Sequence, residues 1–289
     1  MQKSNPKKPI VKRQSQPHPG MEYKMDPLPE FDDGTSGNNK LFNKKCVITG
    51  GDSGIGRAVA IAFAKHGADV AIMHLKSETK DASYTANYIR EKFKRKCLTV
   101  AADISKEDQC KKAIEKIVKE FKQIDVLVNN AAVHYPAEDI SKIKTANLIK
   151  TFSVNIYAMF WITQAALRYM KKGSSIINTS SVTAYRGSPE LLDYSATKGA
   201  IVSFTRSLSA SLMKKGIRVN GVAPGPVWTP LIPGSFPPKK VSEFGTDSPM
   251  KRPAQTEELS PAYVFLASKD ASYMSGQFIH VNGGEIVNG

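Results

Sequence analysis

The sequence predicts an α/β protein: a single doubly wound domain whose seven-stranded parallel sheet carries helices on both faces. Three observations predict it. Short apolar runs alternate with helical segments along most of the chain, the pattern of strands joined by crossover helices and buried on both sides. The first of these runs passes through a glycine-rich turn straight into a helix. Polar residues recur at the carboxyl ends of the strands, where open parallel sheets bind their ligands.

Residues 1–40 stand apart from this pattern. They hold Pro6, Pro9, Pro17, Pro19, Pro27 and Pro29, followed by Gly34, Ser36, Gly37 and Asn38. The segment reads as an N-terminal arm, partly disordered, with 1–20 mobile. Tyr23, Met25, Leu28 and Phe31 give 20–40 apolar groups with which to lie along a surface.

The domain occupies 41–289. Cys46–Thr49 is a short apolar strand, and Ile55, Val59, Ala62, Phe63 and His66 recur at helical spacing up to the stop at Gly67. Further strands are expected at 69–74, 98–103, 126–130, 175–180, 218–223 and 278–281. Helices are expected at about 78–94, 105–121, 146–171, 193–214 and 256–268. Ser105 and Asp108 have the spacing of an N-cap and an acidic N3 residue.

Between the first strand and its helix lies Gly50-Gly51-Asp52-Ser53-Gly54-Ile55-Gly56. Strand, glycine turn and helix are the parts of a phosphate cradle. Glycines let the backbone approach a pyrophosphate, and the helix N-terminus offers free N–H groups and the positive end of its dipole. Later strands bring Asp103, Asn129, Ser181 and Pro224-Gly225 to the same rim. Read singly, such residues are turn formers; five segments converging on one rim describe a site.

Tyr194 and Lys198 stand four apart, which puts both on one face of the helix at 193–214. A phenol titrates near ~10, and a neighbouring ammonium favours the phenolate, drawing the group toward acid–base work. Ser181, at a strand end, is placed to hydrogen-bond a substrate oxygen.

Composition narrows the class. Hydrophobic residues make up 41% and charged residues 23%, as in a globular protein. No run reaches the roughly 18 apolar residues of a membrane span, and 1–20 has no apolar core of a secretory signal. A cytoplasmic protein without a membrane partner is expected. Cys46, Cys97 and Cys110 match neither a disulfide framework nor a metal site. The net charge of +15 raises nucleic acid as a partner. The basic residues are nevertheless spread over many helix faces, so no nucleic-acid partner is expected.

These motifs in this order resemble the short-chain dehydrogenase/reductase family over residues 41–289. Thr49-Gly50 through Gly54-Ile55-Gly56 matches the family's TGxxxGIG, and Asn129-Asn130-Ala131-Ala132 stands for NNAG, with Ala132 in place of a glycine. Tyr194 and Lys198 match YxxxK, Ser181 lies thirteen positions upstream, and Asn155 sits in the long helix. The nearest likeness is to a bacterial branch with an N-terminal extension, general-stress or glucose-dehydrogenase-like oxidoreductases. That branch carries stretches similar to TGGDSGIGRA and PGPVWTPL.

The resemblance implies a Rossmann-type fold and an NAD(P)-dependent oxidoreductase interconverting an alcohol and a carbonyl on a sugar, polyol or small aldehyde or ketone. It implies catalytic roles for four residues: Tyr194 exchanges the proton, Lys198 lowers its pKa and binds the nicotinamide ribose, Ser181 polarises the carbonyl, and Asn155 holds a relay water. It places Asp103 and Ile104 at the adenine, Asn129 at the adjoining ribose, and Val227 and Thr229 at the carboxamide, beside the motif residues Ala131, Pro224 and Gly225. It also implies a homotetramer packed through the helices at 146–171 and 193–214. The alternative is a cofactor-binding regulator or scaffold without turnover.

At the end of the second strand stands His74, then Leu75 and Lys76, where a carboxylate would favour NAD. Lys76 is either a phosphate contact or a solvated loop residue, so NADP and NAD both remain, with NADP favoured. The Pro- and Gly-rich stretch 227–253, with Trp228, Leu231, Ile232, Phe236 and Phe244, is expected to be a substrate lid. Tyr185, Leu191 and Leu192 are expected to line the same pocket.

Overall fold

The computed structural model describes residues 9–285. The chain alternates strands and helices: β1 (Lys45–Thr49), α1 (Gly54–Lys65), β2 (Asp69–His74), α2 (Thr79–Phe93), β3 (Cys97–Ala101), α3 (Glu107–Phe121) and β4 (Val126–Asn129). The second half adds α4 (Thr145–Phe152), α5 (Ala158–Leu167), β5 (Ser175–Thr179), α6 (Thr183–Arg186), α7 (Leu192–Leu212), β6 (Arg218–Pro224), α8 (Pro238–Ser242), α9 (Ser260–Ala267) and β7 (Phe278–Val281). All seven strands are parallel, in the order β3-β2-β1-β4-β5-β6-β7. The order reverses between β1 and β4, and in such sheets the crevice beyond that switch point is where ligands bind.

Why the strands read as unbroken apolar runs is clear from their two faces. Cys46 and Ile48 pack into a cluster with Val59, Phe63, Ile89 and Tyr263, under α1, α2 and α9. Val47, between them, points to the opposite cluster of Ile114, Ile117, Val154, Ile162 and Leu212, under α3, α5 and α7. Val70 and Ile72 alternate with Ala71 and Met73 in the same way. A strand covered on both faces has no solvent side on which to place polar residues.

Three expectations are corrected. Ser105 does not cap α3: the helix begins at Glu107 with Lys106 before it, and Ser105 turns back to bond the Asp103 carboxylate. The helix expected to run unbroken over 146–171 is α4 and α5 joined by a π-helical turn at Ser153–Tyr157. The helix expected at 256–268 is a 3-10 turn, Thr256–Glu258, followed by α9.

The N-terminal segment divides. The mobile stretch expected over 1–20 lies in part, at 1–8, outside the described residues. From Ile10 the chain is held: its N–H bonds the Ser242 carbonyl, and that of Gln16 bonds Pro233. Met25 is buried in a third cluster with Trp228, Ile232 and Val241, and Trp228 Nε1 donates to the Pro27 carbonyl at 2.9 Å. Phe31 packs edge-on against Tyr88 at 5.4 Å between ring centroids. The partners of this segment are remote in sequence, Trp228 and Pro27 being 201 residues apart, so composition alone could not show them. Among the described residues no helix is long and apolar enough to cross a membrane.

Candidate active site

A cavity of about 620 Å3 opens along the carboxyl ends of the strands. At one end is the glycine turn. Gly50 and Gly54 take positive φ, +63° and +53°, and a Cβ on Gly56 would meet the Gly50 carbonyl oxygen at 1.9 Å. Only glycine lets α1 start that close to the strand end. Gly50, Asp52, Ser53, Gly54 and Ile55 line the cavity, while Gly56 supports the turn from behind.

One amide of this turn is already committed. The Gly54 N–H bonds the carboxylate of Glu22, from the N-terminal segment. Glu22 is 1% exposed and pairs with Arg57, whose other nitrogen reaches Asp81 Oδ1 at 3.1 Å. The Glu22 N–H in turn donates to Asp81. Burial drives the Glu22 carboxyl up to about 7 although Arg57 and the Gly54 N–H pull it down.

The cavity wall beyond β2, where the sequence led us to expect the adenosine, differs from that expectation. His74 lines it, with Nδ1 2.8 Å from the Leu75 carbonyl oxygen. Lys76 is exposed and does not line the cavity. A carboxylate does reach the wall: Glu78, which follows β2 by one turn, accepts from the Leu75 N–H at 2.8 Å. Burial, then the charge of Asp52, pushes Glu78 up to about 8, and burial pushes Asp52 up to about 6. Asp103 and Ile104 line the next stretch. Burial works against the Asp103 carboxylate, but Ser105 and Lys150 outweigh it and hold its pKa below the ordinary value. Lys150, 3.3 Å from that carboxylate, was not singled out by sequence; only the fold brings α4 over β3.

Asn129 is a second correction. It does not line the cavity: its amide donates to Asn178 Oδ1 at 2.9 Å and Thr163 Oγ1 at 3.3 Å, tying β4 to β5 and α5. Asn130 and Ala131 face the cavity instead. Their N–H groups both donate to Thr49 Oγ1, at 2.9 and 3.0 Å, which fastens the loop after β4 to the end of β1.

At the other end stand Ser181, Tyr194 and Lys198, all lining the cavity. Lys198 is 2% exposed, its Nζ lies 5.3 Å from the Tyr194 ring centroid, and it donates to the Thr179 carbonyl at 2.8 Å. Ser181 hydrogen-bonds the Tyr194 phenol, and its oxygen accepts from the Thr183 N–H at 3.2 Å. The phenol lowered by Lys198, expected from spacing, is not found. Burial pushes Tyr194 up to about 12 against the pull of Ser181, and burial brings Lys198 down to about 7. Desolvation of the phenol outweighs its hydrogen bond with Ser181, and the Lys198 amine is turned to the Thr179 carbonyl.

Asn155 lies in the π-helical turn, 1% exposed and outside the cavity lining. Its Oδ1 accepts from the Val133 N–H at 2.9 Å, while Nδ2 donates to the Val133 carbonyl and to Thr197 Oγ1. It therefore locks the loop after β4 to α7. Such single π turns recur at functional sites because they re-aim a side chain within a helix.

Pro224, Gly225, Val227 and Thr229 line the cavity after β6, as do Leu191, Leu231, Ile232, Phe236 and Phe244. Tyr185, Leu192 and Trp228 do not. The segment 227–253 leaves and returns through a parallel bridge, Val227 with Ala254. His18, Pro19 and Gly20 also line the cavity, and so does His134, which sequence reading passed over. Among the described residues no group of three or more His, Cys, Asp or Glu is placed to hold a metal.

The arrangement fits a dinucleotide: a glycine turn at a helix N-terminus, a polar wall, and a Ser–Tyr–Lys set, Ser181 and Lys198 buried and Tyr194 half-buried, at the far end of one cavity. Comparisons with known proteins agree. A family model described as enoyl-(acyl carrier protein) reductase matches residues 50–285. The chain is 51% identical over 286 residues to glucose and ribitol dehydrogenase of Daucus carota, covering 97% of this chain and 98% of that one. It is 48% identical over 283 residues to the chloroplastic NADPH-dependent aldehyde reductase 1 of Arabidopsis thaliana, covering 96% and 98%. A blue fluorescent protein from a metagenomic library, solved in complex with NADPH, superposes with a TM-score of 0.79 at 29% identity over 85% of this chain and 98% of that one. The chain belongs to the short-chain dehydrogenase/reductase family of NAD(P)-dependent oxidoreductases.

Proposed function

We propose that the protein interconverts an alcohol and a carbonyl, with Tyr194 exchanging the proton at the substrate oxygen. The observation that carries this reading is the convergence of Ser181, Tyr194 and Lys198 on the cavity that the glycine turn opens. When bound, the nicotinamide supplies or accepts the hydride. The chain's own residues position and polarise. A phenol held near 12 is a protonated donor, suited to delivering its proton to a nascent alkoxide. The Ser181 hydroxyl shares the Tyr194 oxygen's surroundings and polarises the carbonyl from the same side. Asn155 acts by holding the loop of Val133 against α7. The segment 227–253 serves as a lid whose apolar face, Ile232, Phe236 and Phe244, keeps water from the reacting atoms.

NADP is the favoured cofactor. His74, not a carboxylate, ends β2. Glu78, its carboxyl held above the ordinary range by burial and by Asp52, opposes a 2′-phosphate less than an ordinary carboxylate does. The NADPH dependence in the name of the Arabidopsis relative points the same way. Titration with both cofactors tests this, and tighter binding of NADH than NADPH overturns it. The substrate class is a polyol, sugar, or small aldehyde or ketone, in line with the names of the carrot and Arabidopsis relatives. A panel of these, read by cofactor absorbance in both directions with both cofactors, tests turnover; silence across the panel favours a cofactor-binding regulator.

The reading extends to a cytoplasmic homotetramer. Ile149, Tyr157 and Phe160 expose apolar surface along α4, the π-helical turn and α5, and the Phe160 ring packs at a tilt against Phe204 of α7, 4.5 Å between centroids. The three cysteines are buried and unpaired, as a reducing compartment allows. Light scattering is expected to give four chains; a monomer refutes the assembly.

A further inference from the structure

Beside the proton-transfer pair stands a polar side chain that the reaction, as described, leaves without a role. His134 lies in the loop after β4, is 4% exposed, and lines the cavity. Its ring meets Tyr194 edge-on at 5.2 Å between centroids and Phe236 at 5.3 Å. It is thus held between the proton donor and the apolar face of the 227–253 segment.

The hydrogen bonds fix which nitrogen is free. One ring nitrogen bonds the Leu231 carbonyl. A carbonyl only accepts, so that nitrogen carries the proton. Nε2 is buried and has no partner, so the donor is Nδ1 and Nε2 presents a lone pair. Burial, together with the nearby His18 and Lys198, brings the imidazole down to about 3. The ring therefore stays neutral at physiological pH and Nε2 stays an acceptor.

The ring is also secured from behind. His18, from the N-terminal segment, bonds the His134 backbone carbonyl. Its Nε2 lies 2.9 Å from Ser235 Oγ, and its ring packs on Tyr135 at 5.0 Å. Three distant segments, around residues 18, 134 and 235, meet to hold one acceptor in place. A buried acceptor without a partner is costly, and native structures keep few. A fixed one in the wall of a binding cavity, touching the proton donor, is placed for a ligand.

We infer that His134 Nε2 accepts a hydrogen bond from a substrate hydroxyl near the reacting carbon, and so selects polyhydroxylated substrates over simple aldehydes and ketones. The inference rests on the oxidoreductase reading above and names the substrate class within it. Sites built to bond a substrate hydroxyl discriminate strongly against the analogue that lacks it, because the buried protein group is then left unpaired.

The test compares kcat/KM of the full-length enzyme for a pentitol, for its deoxy analogue lacking the hydroxyl next to the oxidised carbon, and, in the reverse direction, for butanal. The variants are His134→Phe, which keeps an aromatic ring and removes the acceptor, and His134→Gln, which restores an acceptor oxygen. Wild type is expected to favour the pentitol over the deoxy analogue at least tenfold. His134→Phe is expected to lose at least tenfold on the pentitol, mainly through KM, and less than twofold on butanal, with cofactor affinity unchanged. His134→Gln is expected to recover part of the loss. If His134→Phe does not fold, His134→Leu and His134→Gln carry the same comparison. Equal losses on pentitol and butanal, or a wild type indifferent to the missing hydroxyl, overturn the inference while leaving the oxidoreductase reading intact. A wild type that turns over none of the three substrates with either cofactor overturns that reading, and the inference with it.

Discussion

The two ends of the cavity are built in different ways. The glycine-turn end, which we propose holds the cofactor, is local: seven consecutive residues, Gly50 to Gly56, make the turn, and β1 and α1 aim its amides. The Tyr194 end, which we propose holds the substrate, is assembled from the N-terminal segment, the loop after β4, the start of α7 and the segment 227–253. A local device can be recognised by spacing. An assembled one exists only when remote segments meet, and its residues carry no spacing between them. The N-terminal segment blurs this division, because Glu22 enters the cofactor end while His18 and Pro19 enter the substrate end.

The largest effect separates chemistry from binding. On the proposed mechanism Tyr194→Phe removes the proton donor, and a loss of about 10²–10⁴-fold in kcat is expected for a group of this kind. Cofactor affinity should remain within twofold by fluorescence titration. Undiminished turnover would show that the reacting centre lies elsewhere in the cavity.

Next comes the segment that joins the two ends. Glu22→Ala leaves Arg57 in a buried site with Asp81 as its one carboxylate partner. Breaking a buried pair in this way costs about 3–5 kcal/mol, so urea denaturation should show a loss on that scale. A stability unchanged from wild type would make the N-terminal segment an appendage rather than part of the domain.

A smaller, pH-dependent effect probes Lys198. Its folded pKa, about 7, lies below the ordinary 10.5. Between these values the unfolded chain binds the proton that the folded chain refuses, so this group favours folding less as pH falls from about 10 to 7, and below 7 its cost is fully present. Lys198→Met removes the cost. The stability of the variant relative to wild type should therefore rise as pH is lowered from 9.5 to 6.5. The opposite slope would mean that the ammonium is stabilised where it sits.

The smallest effect concerns the adenosine rim. Lys76 is exposed, and exposed charge pairs are worth about 0.2–1 kcal/mol. Lys76→Ala is therefore expected to weaken NADPH no more than about fivefold and to leave NADH unchanged. A far larger loss would move the cofactor phosphate onto this lysine.

Residues that meet at the cavity were legible in sequence where chemistry and spacing coincide, and not where one stood without the other. Tyr194 and Lys198 are legible because four residues along a helix make one face. Ser181 and the glycines are legible because strand ends and turns restrict residue type. Asn129 was misplaced by a single position, since alternation along a strand decides whether a side chain faces the cavity or the neighbouring strand, and the motif does not show where β4 ends. Glu78 was missed because it reaches the wall after a turn that follows β2, where a search for an acid at the strand end stops short. His134 was missed because a lone histidine in a loop has no pattern.

The sequence by itself determined the alternation of strands and helices, the parallel sheet, the glycine turn and the place of Tyr194 and Lys198 on one helix face. All of these follow from periodicity or from steric limits acting over a few neighbouring residues. Only the tertiary structure decided which side chains lose water and which meet. Burial, set by the packing of remote elements, raised Tyr194 and lowered Lys198 against the expectation from their spacing. The same packing brought Glu22 to the glycine turn, and His18 to His134. Desolvation and contacts between distant segments depend on the whole fold, and no local stretch of sequence records them.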